Sequence, residues 1–339
     1  MERVLIVGYG NIGKLHLQIA RKVLPDAQIY VYRHKMVKEI PEFADGCLFR
    51  FDEISKFQPH ISVIANPSPL HLEISRLLIN LGSRVLIEKP ISNSLEGVRE
   101  LIDESDQKNS EIYVGYNLRF SDSLNIFTQM IMQGAIGELY SIICEVGQNL
   151  LTWRPQVDYR STVSAQKKLG GGVLLELSHE LDYLLANFGD IDTVKASLVK
   201  QSQLDIDVED AAHMLFQFFP NKIGNTIIGI VSLDFIRHDS IRRYCAVGSK
   251  GSLEWDGING RVKEFTINSH KWKRIYSQAP TREESYLAQW HEFLEHNKCN
   301  RKKLASGIDG LRVLQLIEAI KMSSNLEKSI SPILDQIEI

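Results

Sequence analysis

The chain has 339 residues, more than one ordinary hydrophobic core requires, and its length predicts about two domains. Its composition, 44% hydrophobic and 24% charged, is typical of a globular protein, and the formal net charge of −3 gives no bulk electrostatic reason to bind nucleic acid or a membrane. The cysteines lie far apart and match no metal-ligand spacing, so we expect no metal site and isolated thiols in a reducing compartment. They are Cys47, Cys144, Cys245 and Cys299.

The first ten residues, MERVLIVGYG, read as the start of a strand and lack the long apolar segment and cleavage site of a signal peptide. No apolar stretch approaches the roughly 18 residues that span a bilayer. We therefore expect a cytoplasmic protein that binds neither nucleic acid nor a membrane.

Short apolar runs alternate with helical spacing over the first third of the chain. The runs cover residues 4–7, 28–32, 61–65, 84–87 and 112–114. Segments with helical spacing lie between most of them, at about residues 13–24, 70–81 and 94–107. Almost wholly apolar strands separated by helices are typical of a parallel sheet covered on both faces. This pattern predicts an α/β, doubly wound Rossmann domain, whose ligands bind beyond the carboxyl ends of the strands.

The loop after the first run, residues 8–13, reads G-Y-G-N-I-G and fits the pattern G-x-G-x-x-G. In that pattern the first glycine permits a tight turn, the second lets the backbone approach a pyrophosphate, and the third lets the next helix pack closely on the strand. The helix that begins there offers unpaired N–H groups to phosphates. The candidate dinucleotide-binding residues of this loop are Gly8, Gly10, Asn11, Ile12 and Gly13.

The end of the second run is the place where nicotinamide cofactors are distinguished. An acidic residue there accepts hydrogen bonds from the adenosine ribose, whereas a basic residue meets a 2′-phosphate. This chain has Tyr32, Arg33 and Lys35, and no Asp or Glu between them. The pattern favours NADP over NAD, with Tyr32 beside the adenine and Arg33 on the phosphate; ordinary solvated surface charges are the alternative.

Polar motifs follow the next three runs, and others lie further along the chain. The first group comprises Asn66, Pro67 and His71, then Glu88 and Lys89 of an E-K-P motif, then Asn117 and Arg119. The second group comprises the triple glycine 170–172 followed by Glu176, His179 and Asp182, the hairpin segment 247–255, and the S-G-I-D-G-L segment 306–311. Together and in this order they resemble the glucose-fructose oxidoreductase, inositol dehydrogenase and rhizopine-catabolism family, called Gfo/Idh/MocA.

The resemblance implies how the chemistry is shared among three side chains. In this family the E-K-P lysine reaches the nicotinamide ribose and the substrate hydroxyl, and a histidine exchanges the hydroxyl proton. Carried over, Lys89 orients and polarises the oxygen and His179 is the general acid/base, which suits a side chain that titrates near neutrality. The resemblance also places the Asn66, Pro67, His71, Glu88, Asn117 and Arg119 positions around the cofactor.

One departure from the family concerns the acid before His179. The family usually has Asp, three residues and His, whereas Glu176 here precedes His179 by only two intervening residues. The H-x-x-D spacing to Asp182 is kept, so we align on it and expect the longer Glu176 side chain to compensate for the shorter turn. The alternative for His179 is a surface histidine in a first turn capped by Ser178.

From residue 119 the sequence pattern changes. A helix is expected near 121–133, and long segments in which apolar and polar residues alternate follow it. These cover 138–147, 192–200, 208–219, 225–236, 241–248 and 252–266, and two amphipathic helices follow at about 282–298 and 307–326. We expect a Rossmann domain at 1–118 and an α+β domain at 119–339 with a large, mainly antiparallel open sheet. The open face of this sheet packs on another subunit in relatives, which implies a homodimer or homotetramer.

The segment before the triple glycine borders the substrate pocket in the family. It offers Trp153 and Tyr159 to stack on a sugar ring and Arg154 and Arg160 to hold a carboxylate or phosphate. Further basic residues lie at 167–168, 237–238 and 242–243, and we expect a sugar, with an anionic sugar or nucleotide sugar of surface-polysaccharide synthesis favoured. A solvated basic loop is the alternative.

The expected activity is hydride transfer between a nicotinamide and a secondary alcohol or ketone carbon of a sugar-like molecule. Two other functions occur among relatives. One is a glycosidase or epimerase with an internal redox cycle on bound NAD, and the other is a dinucleotide-binding regulator without catalysis. Retention of Lys89 and His179 favours catalysis, since a sensor has no need of an acid/base pair.

Overall fold

The computed structural model of the chain describes residues 1–36, 39–220, 225–295, 297, 299 and 301–332. The chain divides into two compact units. The first comprises residues 1–117 and 282–314, and the second comprises residues 118–281 and the chain from residue 315. The sequence-based division between residues 118 and 119 lies one residue beyond this boundary, and it assigns residues 282–314 to the second domain.

Helices and strands alternate regularly in the first third of the chain, and strands dominate afterwards. The helices are α1 (Asn11–Val23), α2 (Phe51–Phe57), α3 (His71–Asn80), α4 (Val98–Gln107), α5 (Asp122–Met132), α6 (Leu150–Trp153), α7 (Val173–Glu176), α8 (His179–Phe188), α9 (Glu284–Leu294) and α10 (Gly307–Leu326). The strands are β1 (Arg3–Val7), β2 (Gln28–Tyr32), β3 (Gly46–Leu48), β4 (Ile61–Ile64), β5 (Arg84–Ile87), β6 (Ile112–Val114), β7 (Leu139–Gly147), β8 (Ile191–Val199), β9 (Ala211–Phe218), β10 (Ile228–Asp234), β11 (Ile241–Gly248), β12 (Gly251–Asp256), β13 (Arg261–Thr266), β14 (Trp272–Ser277) and β15 (Ala305–Ser306).

The sheet of the first unit has the strand order β15-β6-β5-β4-β1-β2-β3. Strands β1 to β6 pair in parallel, and only β15 runs antiparallel, against β6. Helix α1 packs on α9, and α3 packs on α4 and β5. The predicted doubly wound sheet is confirmed, and the carboxyl ends of β1, β4 and β5 are neighbours at one edge because these strands are adjacent and parallel.

The sheet of the second unit has the order β14-β13-β12-β11-β7-β10-β9-β8 and is antiparallel except where β10 pairs with β7. Helix α5 packs on β12, β13 and β14, and α7 packs on β9 and β10. Its core contains a column of rings, in which Tyr183 and Trp255 each stack on Tyr244 with centroids 5.1 Å apart. The predicted mainly antiparallel sheet is confirmed.

Several predicted boundaries are wrong for local reasons. The helix expected from residue 94 begins at Val98, after Gly97 in a left-handed conformation with φ of 75°. The segment 252–266 is two strands, β12 and β13, joined by a turn in which Gly260 has φ of 59°. The triple glycine 170–172 forms a turn before α7 and no strand. Of the helix expected at 282–298, residues 284–294 are helical, and residues 296 and 298 lie outside the described residues.

Within the described ranges, no helix is both long enough and apolar enough to cross a bilayer.

Candidate active site

The glycine loop after β1 leaves space for a ligand at one of its three glycines. A Cβ on Gly8, whose φ is 92°, would lie 2.9 Å from both Ala65 O and Asn66 N. A Cβ on Gly13 would lie 2.2 Å from Gly8 O, so α1 packs directly on the strand end. A Cβ on Gly10 would meet nothing within 4 Å. The first and third glycines are therefore required by the protein itself, and Gly10 borders open space.

The first turn of α1 is suited to an anion. Gly10 occupies the N-cap position with no side chain to satisfy the first N–H groups, and the first turn contains no acidic residue. Asn11 and Ile12 begin the helix, so their backbone N–H groups lie among those that lack an acceptor within the helix. Such a terminus attracts phosphate through its N–H groups and its dipole.

Two basic side chains lie against one aromatic ring next to this loop. The Arg33 guanidinium and the Lys14 ammonium lie 5.0 and 5.1 Å from the centre of the Tyr9 ring. Tyr32, at the end of β2, has its ring 5.7 Å from that of Phe51, and burial with nearby carboxylates raises the pKa of its hydroxyl. The cation–π contacts hold positive charge at the end of β2, where the sequence predicts the adenosine ribose.

The loop after β4 presents two buried polar oxygens and is held in place by the side chain of His71. The buried Asn66 Oδ1 and Ser68 Oγ have no hydrogen-bond partner among the described residues. His71 is buried, with Nε2 2.8 Å from Asn66 O and Nδ1 3.0 Å from Pro90 O. Burial lowers the pKa of His71, and its contacts with Asn66 and Pro90 oppose that shift. His71 thus ties the Asn66-Pro67 loop to the E-K-P loop.

The E-K-P motif directs its two charged side chains differently. Glu88 is buried, and its Oε1 lies 2.7 Å from His16 Nε2 while its Oε2 accepts from the Lys89 backbone N–H at 3.3 Å. Lys89 is partly exposed and precedes Pro90 across a cis peptide bond. The Glu88 carboxylate is therefore engaged inside the first unit, although the sequence analysis grouped it with the cofactor ligands.

The segment after β6 is also held by side-chain contacts. Asn117, which is buried, donates from Nδ2 to Ser285 Oγ at 2.7 Å within the first unit. Arg119, in the second unit, forms a two-pronged ion pair with Asp182, donating from Nε at 2.9 Å and from Nη2 at 2.6 Å. Both residues were predicted to contact the cofactor, and that role stays a prediction.

A tight turn connects α7 to α8 in the second unit. Glu176 is the last residue of α7 and His179 the first of α8, and Ser164 donates to Glu176 Oε2 at 3.1 Å. The preceding turn, which leads into α7, depends on glycine, since Gly172 has φ of 105° and a Cβ there would lie 2.4 Å from Glu209 Oε1. Burial raises the pKa of Glu209. The short spacing before His179 is thus accommodated by two separate helical turns.

Two arginines anchor the first turn of α8. Glu180 is fully buried, and the Nε of Arg242 lies 3.0 Å from its Oε1. Asp182, also buried, holds Arg119 as described above. Ser178 occupies the N-cap position, but its side chain makes no capping hydrogen bond. His179 is partly exposed beside these fixed charges, as a proton-exchanging group requires.

The two aromatic residues predicted for the substrate differ in their surroundings. Trp153 packs edge-to-face on Phe235 with ring centroids 5.1 Å apart, and its buried indole N–H has no acceptor among the described residues. The Tyr159 hydroxyl accepts a hydrogen bond from the Asp205 backbone N–H at 3.0 Å. Trp153 therefore retains an unused donor, whereas the Tyr159 hydroxyl supports the local loop.

Most of the arginines predicted for an anionic substrate are already paired with acids. Arg160 binds Asp158 through Nε and Nη2, at 3.0 and 2.8 Å. The other pairs are Arg237 with Asp234 at 3.3 Å, Arg242 with Glu180 at 3.0 Å, and Arg243 with Glu145. Arg154 and the lysines at 167–168 are exposed or partly exposed. Within the described residues, no group of three or more His, Cys, Asp or Glu is arranged to hold a metal ion.

Comparison with known protein families assigns both parts of the chain to one oxidoreductase family. The model of the oxidoreductase family NAD-binding Rossmann fold, GFO_IDH_MocA, matches residues 2–116, and the model of its C-terminal alpha/beta domain matches residues 128–331. The chain belongs to the Gfo/Idh/MocA family. The resemblance drawn from its motifs is confirmed, and as a member of this family the chain is an NAD(P)-dependent dehydrogenase or reductase.

Some relatives of this Gfo/Idh/MocA protein align over nearly its whole length, and others over about half to two thirds of it. A scyllo-inositol 2-dehydrogenase (NADP(+)) of Bacillus subtilis is 25% identical, over 97% of this chain and 95% of that protein. A levoglucosan dehydrogenase in complex with NADH and L-sorbose has a TM-score of 0.80 at 18% identity, covering 98% and 99% of the two chains. The WlbA dehydrogenase of Bordetella pertussis in complex with NADH and UDP-GlcNAcA has a TM-score of 0.76 at 20% identity, covering 99% of each chain. The two solved structures show that the fold is shared.

Four residues used in the description of the site escaped the sequence analysis, and Ser68 of the loop after β4 is the first of them. Lys14 lies on the Tyr9 ring, and His16 and Trp290 form hydrogen bonds beneath Lys89. His16 carried a signal, because it follows Gly13 by three positions and falls on the buried face of α1. Trp290 carried none, since only the tertiary structure brings α9 to α1.

Proposed function

We propose that the chain oxidises or reduces a secondary alcohol carbon of an uncharged polyol or sugar, with NADP(H) as its preferred cofactor. One observation carries the cofactor assignment. At adjacent strand ends of the first unit, the protein leaves open space at Gly10, and the buried oxygens of Asn66 and Ser68 have no partners among the residues that the structure describes. Buried polar atoms normally find partners, so a ligand with donors and a pyrophosphate fits this edge.

The proposed roles follow from the chemistry of the side chains. A bound nicotinamide supplies or accepts the hydride. The Lys89 ammonium, which follows β5 at the same sheet edge, stabilises negative charge on the substrate oxygen. His179 exchanges the hydroxyl proton, and its helix is fixed by the Glu180–Arg242 and Asp182–Arg119 pairs. Glu176 sets the position of the turn before His179.

The preference for NADP(H) is supported by Arg33 and Lys14, which place two positive charges against Tyr9 where NAD-specific proteins have an acid. Titration of the protein with NADPH and NADH, followed by intrinsic fluorescence, tests it. We expect tighter NADPH binding, and a loss of about tenfold or more in NADPH affinity with little change for NADH in Arg33→Ala. Arg274→Ala, an exposed arginine on β14, is the matched control. Equal or tighter NADH binding by the unaltered protein would refute the preference.

An uncharged substrate is favoured because Arg160, Arg237, Arg242 and Arg243 already have carboxylate partners. Each of these guanidinium groups would have to exchange an acid of the protein for an acid of the substrate, which limits the gain in binding energy. The curated relative that acts on scyllo-inositol is in agreement. The test is the rate of NADP⁺ reduction with scyllo-inositol, L-sorbose and UDP-GlcNAcA, read at 340 nm.

A charged sugar is the second candidate, carried by the exposed Arg154 and the lysines at 167–168. If UDP-GlcNAcA is oxidised much faster than either neutral compound, this candidate replaces the first, and Arg154→Ala should then raise its KM. The same assay addresses an internal redox cycle. Reduced cofactor that accumulates with turnover excludes such a cycle, whereas product formation without any change at 340 nm supports it.

We also propose that the second unit forms a homo-oligomer through the uncovered face of its sheet. Leu215 and Ile230 are 46% and 45% exposed and lie directly opposite each other on β9 and β10. Ile143 and Cys245 continue the same row on β7 and β11. Directly paired residues project to the same face of a sheet, so these four side chains form a contiguous apolar row.

Charged residues flank this row on both sides. Lys195 of β8 pairs with Leu215, and Glu254 of β12 pairs with Cys245 and is held in an ion pair with Lys263 of β13 at 2.8 Å. A second copy related by a two-fold axis would cover the apolar centre and leave these charged flanks at the rim. Light scattering after gel filtration should therefore show a dimer or tetramer that Leu215→Asp dissociates. Met132→Asp, which charges an exposed side chain elsewhere, is the control; a monomeric unaltered protein would refute the proposal.

A further inference from the structure

A buried line of hydrogen bonds runs beneath the E-K-P motif. Trp290 Nε1 donates to His16 Nδ1 at 2.9 Å, and His16 Nε2 lies 2.7 Å from Glu88 Oε1. The other carboxylate oxygen of Glu88 accepts from the Lys89 backbone N–H at 3.3 Å. These four residues come from α9, α1 and the end of β5, and all belong to the first unit.

The chemistry of the indole fixes the proton positions along this line. An indole nitrogen can only donate a hydrogen bond, so the Nδ1 of His16 that faces Trp290 must be an acceptor and carries no proton. The proton of the His16 ring is then on Nε2, from which it donates to the Glu88 carboxylate. Trp290, which can only donate, and the Glu88 carboxylate, which can only accept, therefore require the same tautomer of His16.

Burial makes this arrangement rigid. His16 and Trp290 are fully buried and Glu88 is 6% exposed, so water does not compete for these hydrogen bonds. On another side of Glu88, a Cβ on Gly115 would lie 3.0 Å from the carboxylate carbon, which leaves the side chain no room to turn away. The carboxylate is thus fixed by two hydrogen bonds and by backbone contact.

The backbone of Lys89 is consequently held from both directions along the chain. Glu88 binds its N–H from one side, and the carbonyl of the following Pro90 lies 3.0 Å from His71 Nδ1 on the other. The Lys89 side chain itself is partly exposed at the strand end. Since the side chain extends from this fixed backbone, the position of its ammonium depends on the buried line beneath it.

We propose that His16 and Trp290 are positioning residues for Lys89, acting through the carboxylate of Glu88. The inference rests on the proposed role of Lys89 in turnover. Its physical part, the fixed tautomer and the immobilised backbone, holds whatever substrate the protein uses. Neither residue touches the substrate carbon or the transferred hydride in this scheme.

Trp290→Phe is the most selective perturbation, because it keeps a buried ring in α9 and removes one N–H group. Two readouts are independent of activity. In protein labelled with ¹⁵N-histidine, long-range ¹H–¹⁵N spectra should show His16 as the Nε2–H tautomer, and loss of the indole donor should shift the Nδ1 resonance in the variant. Hydrogen exchange of the peptide that contains the Lys89 amide should be about tenfold faster in the variant. Trp272→Phe, the same change at an exposed position of β14, should alter neither.

Turnover supplies the third readout. With the sugar or polyol oxidised by the unaltered protein, we expect kcat of Trp290→Phe to fall on the order of tenfold, with NADPH affinity and KM changed less than twofold. His16→Gln, which retains a donor towards Glu88, should keep more activity than His16→Leu. A His16 proton found on Nδ1 in the unaltered protein, unchanged exchange at Lys89, or changed exchange without a change in kcat would each overturn the proposal. If no sugar is oxidised at all, the proposed function fails. The tautomer and exchange results still decide whether the buried line of hydrogen bonds holds the Lys89 backbone.

Discussion

The three glycines of the loop after β1 predict opposite effects for two substitutions that look alike. In Gly13→Ala the new methyl group would lie 2.2 Å from the carbonyl oxygen of Gly8, compared with a normal contact of about 3.5 Å. Both groups are backbone or directly attached to it, so α1 would have to move by roughly 1 Å from β1. Overpacking of this kind costs about 1–3 kcal/mol of unfolding free energy, and we expect a value near the upper end.

In Gly10→Ala the methyl group meets nothing within 4 Å, and φ of −76° is acceptable to alanine. Loss of a glycine N-cap and the reduced entropy of the unfolded chain act in opposite directions, each by less than about 1 kcal/mol, so stability should scarcely change. If a pyrophosphate passes this glycine, the methyl group excludes it. We therefore expect normal folding and a loss of NADPH affinity of at least about tenfold.

Urea unfolding followed by tryptophan fluorescence measures the first quantity, and NADPH titration measures the second. Gly13→Ala should lower both, whereas Gly10→Ala should lower only the affinity. A Gly10→Ala protein that binds NADPH like the unaltered chain would refute the proposed course of the pyrophosphate. A Gly13→Ala protein of unaltered stability would show that the close approach of α1 to β1 does not require glycine.

Three further predictions concern single charged side chains. Burial raises the pKa of Glu209, so the folded state holds this proton more tightly than the unfolded state does. The free energy of unfolding should therefore fall as pH rises from the ordinary carboxyl pKa, about 4.3, through the raised pKa of the folded state. Glu209→Gln should remove this pH dependence in thermal melts taken from pH 4 upwards. Asp182→Asn removes the charge of a buried carboxylate from its two-pronged pair with the partly buried Arg119 and should cost about 3 kcal/mol in urea unfolding, whereas Asp52→Asn, in an exposed pair, should change nothing measurable. Lys89→Met should lower kcat at least about a hundredfold while NADPH affinity changes less than tenfold, and retention of kcat would remove Lys89 from the proposed chemistry.

The strands of the Rossmann sheet could be located from the sequence because their environment is uniform. A parallel strand with both faces covered is apolar throughout, and the runs at 4–7, 28–32 and 84–87 match β1, β2 and β5 to within one residue. The three-residue β3 and the two-residue β15 were missed, since so few residues produce no detectable period. The split between β12 and β13 was also missed, although the Asp256-Gly257 pair is a turn signal.

The residues of the candidate site also differ in how far the sequence could predict them. The glycine loop was readable because backbone geometry imposes glycine at specific spacings, whereas the E-K-P motif and the turn before His179 were recognised through the resemblance to the family. The partners of these motifs come from distant positions. Trp290 lies 274 residues from His16, and Arg119 lies 63 residues from Asp182.

The sequence by itself therefore determined the family and the alternation of the longer strands and helices in the first unit, and it supplied the residues proposed to carry the chemistry. Only the tertiary structure decided which charges are available to a ligand. It paired Arg160, Arg237, Arg242 and Arg243 with acids and turned Glu88 towards His16. The physical reason is that local spacing specifies backbone conformation, whereas the partner of a long side chain is set by which elements pack beside it.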